Sequence, residues 1–166
     1  MFTFENENSL MKYLLFLFLF FGLFAISCGG DDDVCVNGEA TPRMKIKFKS
    51  ADNKLMTLDS LYLDVDYGSG LVNVIAKAKV DSVLVPLRVD NNGFTEMYVH
   101  RTKKGMASKV KISYTTQSQY VSPACGFKRL YENVSGNLVT PTPVTKIELN
   151  QNQIINENKV HLYLVF

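Results

Sequence analysis

From residue 43 onward, apolar and polar positions alternate at period two in one short segment after another. In Arg43 to Lys49, Met44, Ile46 and Phe48 alternate with Arg43, Lys45, Lys47 and Lys49. Successive side chains of a strand point to opposite faces, so this pattern predicts a strand with one face in the core. Met56 to Gly68 repeats it, with Leu61, Leu63 and Val65 against Tyr62, Asp64 and Asp66. In Asp81 to Asp90, Val83, Val85, Leu87 and Val89 alternate with Ser82, Leu84, Pro86 and Arg88. Pro86 has no ladder donor, which puts it at a sheet edge or a bulge. Asn91-Asn92-Gly93 accepts the positive φ of a tight turn, so Asp81–Asp90 and Phe94–Arg101 together predict a hairpin. Lys109 to Thr116 turns Val110, Ile112 and Tyr114 inward. The pattern lapses at Gln117 to Gln119 and resumes at Tyr120-Val121. Thr145 to Leu149 reads as a brief strand, and Lys159 to Phe166 as a last strand with Val160, Leu162, Leu164 and Phe166 inward. Leu71 to Val80 is open between helix and strand, with Val72, Val74 and Ile75 weighting it toward strand. Phe127 to Asn133 is open between a strand and a helical turn.

Eight or nine short strands with turn signals between them, and no amphipathic helix after residue 28, predict an all-β domain. The expected architecture is an antiparallel β-sandwich, immunoglobulin-like, with a small β-barrel as the alternative. The chain has no Trp, so the Cys-Trp-Cys core of antibody domains is absent; Tyr120 and Tyr131 are the candidates for a tyrosine-corner contact.

The segment before the strands has a different character. Lys12 is followed by fourteen uncharged residues, Tyr13 to Ile26, rich in Leu and Phe. That is short for a membrane span, which takes about 20 residues, and suits a secretory signal. Phe24-Ala25-Ile26-Ser27-Cys28-Gly29 resembles the bacterial lipobox, although Ala25 stands where Leu is preferred and Ile26 is larger than the usual residue. The resemblance implies a diacylglyceryl group on the Cys28 thiol, cleavage before Cys28 and acylation of the new amine. The plainer readings are an ordinary cleaved signal, or a membrane helix with Cys28 as a bystander. The expected organisation is a signal peptide over 1–27, a lipidated Cys and acidic tether over 28–41, and one sandwich domain over 42–166. Glu5 and Glu7 are foreign to a basic leader, which makes Met11 an alternative start. No Asp follows Cys28 directly. Gly29-Gly30-Asp31-Asp32-Asp33 resembles the export tag of surface lipoproteins and equally suits a solvated tether. The expected location is the cell envelope, lipid-anchored at the outer membrane, periplasmic or surface-exposed.

With Cys28 taken by lipid, Cys35 and Cys125 remain. In an oxidising compartment an even pair is expected to bond. The closed loop of about 90 residues gives on the order of 4 kcal/mol in the chain-entropy model; two free thiols are the alternative. Residues 28–166 hold 17 basic and 14 acidic side chains, a net charge of about +3, too small to argue for nucleic acid.

Candidate chemistry is sparse. His100 and His161 have no Cys or His at ligand spacing, and Asp64 with Asp66 lacks the oxygen-ligand loop of a calcium site. No metal and no cofactor are expected. No nucleophile elbow, P-loop or metalloprotease helix is present. A catalytic histidine needs a partner and a pocket, and strand-surface histidines are ordinarily inert. Asp59-Ser60-Leu61 and Asp81-Ser82-Val83 have the form of a bacterial O-glycosylation acceptor, which makes Ser60 and Ser82 candidate modification sites; three-residue patterns also arise by chance. The basic row from Arg43 to Lys49 could meet an anionic polysaccharide or lipid, and is more simply a wet face.

Several local features together resemble an uncharacterised family of Bacteroidetes envelope lipoproteins. They are Cys28 with Cys35 seven residues on, Thr41-Pro42-Arg43 before a strand, Val85-Pro86-Leu87, Tyr120-Val121-Ser122, Ala124-Cys125-Gly126-Phe127-Lys128, and a final strand. The resemblance implies envelope location and a small β domain, and carries no catalytic residues. The expected function is a membrane-anchored, non-catalytic binding or accessory module acting on envelope proteins or glycans. A structural subunit of an outer-membrane complex is the alternative, and a small enzyme built on His100 or His161 the third.

Overall fold

The computed structural model describes Lys12, Tyr13, Leu17 and residues 40–166. The chain divides into two compact units, Met1–Asp33 and Val34–Phe166. In the first, the three described residues are helical. Among the described residues, no helix is long and apolar enough to cross a membrane. Apart from Lys12, Tyr13 and Leu17, the expected signal peptide lies outside the described residues, as do Cys28 and Cys35.

The second unit is all-β. Its strands are β1 (Met44–Lys49), β2 (Leu58–Asp66), β3 (Leu71–Val80), β4 (Ser82–Val85), β5 (Phe94–His100), β6 (Ser108–Ser122), β7 (Gly126–Thr140), β8 (Lys146–Leu149) and β9 (Leu162–Val165). They form two sheets, ordered β4-β1-β9-β8 and β3-β2-β5-β6-β7. Pairing is antiparallel throughout, except that β1 and β9 run parallel. The expected β-sandwich is what forms, and no barrel closes. Leu71–Val80, open between helix and strand, is β3, and its turn from β2 is made by Gly68 and Gly70 at φ +94° and +123°, which a side chain would resist.

The alternation in β1 and β2 works as expected. Met44, Ile46 and Phe48 are fully buried, and so are Leu61, Leu63 and Val65. They join Met97, Val99, Val110, Ile112, Leu162 and Leu164 in one core between the sheets. Gly136 on β7 belongs to this packing: a Cβ there would stand 2.9 Å from Cδ1 of Ile147 on the opposite sheet.

The expected hairpin between Asp81–Asp90 and Phe94–Arg101 does not form. β4 stops at Val85 and pairs with β1, whereas β5 pairs with β2 and β6. Pro86 ends the ladder because it has no N–H to give, and residues 86–93 cross from one sheet to the other. The crossing is held by side chains from distant strands. Tyr67 donates to the Pro86 carbonyl at 3.1 Å. Tyr131 reaches the Leu87 and Arg88 carbonyls at 3.5 and 3.3 Å. The Tyr114 hydroxyl lies 3.3 Å from the Arg88 carbonyl and 2.7 Å from Thr95 Oγ1, which in turn accepts the Arg88 N–H at 2.9 Å. Tyr114 and Tyr131 meet edge to face, with centroids 4.8 Å apart. Burial raises the pKa of all three phenols, so each stays a neutral donor. Asn91-Asn92-Gly93 does make a turn, but Asp90 builds it by accepting from the Asn92 N–H and side chain and pairing with Arg88.

Two further expectations are corrected. The strand does not lapse at Gln117–Gln119: β6 runs on to Ser122 because β7 pairs with it there, Gln117 opposite Leu130 and Gln119 opposite Lys128. Residues 127–140 are accordingly one strand. His161, expected on the outward face of the last strand, is only 2% exposed. Its N–H donates to the Lys45 carbonyl at 2.9 Å, and its Nδ1 accepts the Lys45 N–H at 2.8 Å. The imidazole thereby replaces a backbone acceptor at the entry to β9.

Two measurements follow. Tyr114→Phe removes the hydroxyl that ties Thr95 to Arg88 and is expected to cost about 1–2 kcal/mol in urea unfolding; a loss below about 0.3 kcal/mol would show that the hydroxyl carries no net stabilisation there. The second concerns pH. Burial holds His161 below its usual 6.5, so the unfolded chain binds the proton more readily and stability falls as pH drops from about 6.5 through the folded value. Glu148 and Glu157 act the same way only below their usual 4.5. A urea midpoint that declines between pH 6.5 and 5 in the natural chain, and is flat there in His161→Gln, is the expected result. Identical slopes in the two proteins would contradict it.

Candidate functional site

The charges that seemed available for an anionic ligand are largely paired. Arg43 grips Glu157 with Nε at 2.7 Å and Nη2 at 2.9 Å, and Lys47 lies 3.9 Å from Asp81. Lys49 is 2.7 Å from Glu148 and stands over the Tyr163 ring. Lys49 and Lys146 together pull Glu148 down to about 2. Pairs near the surface contribute little to stability, but these remove three of the four basic residues from Arg43 to Lys49 from a free basic row.

His100 and Asp64 do come together, on neighbouring strands β5 and β2. Nε2 of His100 is 3.2 Å from Asp64 Oδ2, at an angle that makes no hydrogen bond, and Nδ1 is 3.1 Å from the Gly105 carbonyl. Asp64 accepts from Asn73 Nδ2 at 2.6 Å. Both ring nitrogens thus face protein groups, and among the described residues no hydrogen bond joins His100 to a Ser, Thr or Cys side chain. His161 precedes β9 of the other sheet. Asp66 accepts the Gly68 N–H and shapes the β2–β3 turn. Among the described residues, no three His, Cys, Asp or Glu side chains gather as metal ligands would.

Ser60 and Ser82 lie on different sheets. The Ser60 hydroxyl, half-buried on β2, donates to the Arg101 carbonyl. Ser82 opens β4 with its hydroxyl 3.1 Å from Asp81 Oδ1. Cys125 lies in the turn joining β6 to β7, and its N–H donates to Ser122 Oγ at 3.1 Å.

That turn is the tip of the structure's most distinctive surface feature. β6 pairs with β5 only as far as Ser113 opposite Phe94. Beyond it, β6 and β7 continue as a two-stranded arm from Thr115 opposite Glu132 to Ser122 opposite Gly126, with a bridge from Tyr131 to Ile154 at its base. Thr115 to Gln119 is polar on both faces, as suits a ribbon with no core to cover. Near the tip, Tyr120 and Phe127 sit opposite each other, 56% and 69% exposed, with ring centroids 5.4 Å apart at 68°. An edge-to-face pair of this kind contributes about 0.5–1.5 kcal/mol beyond its buried area, yet it leaves most of both rings in water. Lys128 and Arg129 follow. Arg129 Nη1 donates to Ser118 Oγ at 2.7 Å, and its backbone N–H to Thr41 Oγ1 at 2.9 Å. Thr41, Val89, Ser118, Phe127 and Arg129 line a shallow hollow at this place. No acidic residue occurs between Glu96 and Glu132. Tyr120 and Phe127 were visible in the sequence, but nothing local placed them opposite each other, because the strand between them and the core reads as a break.

The same seven-strand span from β3 to β9, with the end of β2, is where the chain is similar to other proteins. No curated protein and no solved structure matches it. The model of a family of unknown function (DUF6452) matches residues 63–166, well over half of the chain and the whole of the arm, and the chain belongs to that family.

Proposed function

We propose that this protein is a lipid-anchored, non-catalytic binding or accessory module of the bacterial cell envelope. The observation that carries the reading is the order of its parts. An apolar leader ends in the lipobox-like Phe24–Gly29, an acidic Gly-Asp tether follows, and then comes one compact β-sandwich. Acyl chains on Cys28 would hold it at the membrane, since each buried methylene contributes about 0.8 kcal/mol and several chains on one residue bind durably. The outer membrane of a Bacteroidetes-type envelope, on its periplasmic or outer face, is the location this reading names. The exposed aromatic-tipped arm favours binding. Envelope proteins or glycans are the partners in this reading, and Cys35 with Cys125 forms the bond tying tether to arm.

Intact mass spectrometry of the protein from bacterial envelopes, with and without reduction, tests it. The expected species begins at Cys28, carries acyl groups and gains two hydrogens on reduction. A chain retaining residues before Cys28, or one free of lipid, would overturn the anchor; an unchanged mass on reduction would overturn the disulfide alone.

A further inference from the structure

We infer that the tip of the β6–β7 arm docks on the lipid bilayer itself, with Tyr120 and Phe127 seated in the interface. The inference rests on the lipid-anchor reading and names a partner for it. Three observations meet at one place. First, the paired rings are the tip's largest apolar groups and are mostly exposed. A phenol beside a phenyl ring presents an apolar body with one polar handle, the chemistry that favours the membrane–water boundary. Second, Lys128 and Arg129 follow directly, and the arm from Thr115 to Tyr131 itself contributes no carboxylate.

Third, the first described residues of the domain meet the arm. Thr41 Oγ1 accepts the Arg129 N–H at 2.9 Å, two positions from Phe127. Only twelve residues lie between Cys28 and Thr41, a reach of at most about 45 Å when fully extended. A lipid on Cys28 therefore draws in the edge of the domain that carries the arm. A protein partner would also accept two aromatic rings, but it would not require them beside the point where the anchor leaves.

The chain contains no Trp, so Phe127→Trp supplies a single reporter at the tip, and Leu71→Trp a matched one at the start of β3 on the opposite edge of the same sheet. Both positions are exposed, so neither change disturbs the core. Each full-length acylated protein is reconstituted on phosphatidylethanolamine–phosphatidylglycerol vesicles with brominated acyl chains, and its mass is taken from the same preparation. The expected result is at least twofold quenching with a blue shift for Phe127→Trp and neither for Leu71→Trp. Equal quenching of the two, in protein whose mass carries acyl groups, overturns membrane docking, leaves the anchor standing and gives the aromatic pair to a protein partner. A mass without acyl groups overturns the anchor and the docking with it.

Discussion

The four-stranded sheet depends on one parallel pairing, that of β1 with β9, in register from Ile46 opposite Leu162 to Lys49 opposite Val165. β9 stands between β1 and β8, so neither neighbour can join the other without it. It brings Leu162 and Leu164 into the core, and Phe166 packs edge to face on Phe48 with centroids 6.1 Å apart. The contact spans more than a hundred residues, and closing so long a loop costs conformational entropy that only burial can offset. His161 marks the start of this seam: through its N–H and its ring it makes both hydrogen bonds to Lys45.

That seam explains which parts of the fold were legible. β1 reads cleanly because every second residue from Met44 to Phe48 is both apolar and buried. The all-β class and the start of β5 at Phe94 follow from the same rule. His161 does not, because a polar side chain at an outward position is taken for a surface one unless its backbone partner is known. The crossing at residues 86–93 fails for a related reason. Val85, Leu87 and Val89 continue the alternation, yet Val89 is exposed and Leu87 is buried off any ladder. Three tyrosines at 67, 114 and 131 decide the path, and their separation from Pro86 and Arg88 in the chain hides it. Pro86 was the one local sign, and it marks an exit from the sheet rather than a bulge within it.

The arm was obscured by the opposite problem. Hydrophobic periodicity reports a face turned to a core, and between Tyr131 and the tip the two-stranded ribbon buries no side chain fully. Its order comes from ladder hydrogen bonds and a few cross-strand contacts, so it belongs to the part of the molecule where local opening is easiest. The sandwich beneath it is fixed by aliphatic packing and buried tyrosines. The aliphatic core thus holds the sandwich, while the ribbon carries its aromatic pair outside that core. The candidate modification residues Ser60 and Ser82, by contrast, sit on the sandwich itself.

The central position of β9 also has a consequence for how the protein is delivered. A chain emerging N-terminus first, from a ribosome or through a membrane pore, presents Met44, Ile46 and Phe48 long before Leu162–Val165 exist to cover them. Until then the four-stranded sheet lacks its middle, and no amount of waiting lets the early strands settle. Such a topology keeps the sheet incomplete until β9 has emerged. It also leaves an unpaired, apolar β1 edge in the meantime, which makes the nascent form dependent on being shielded.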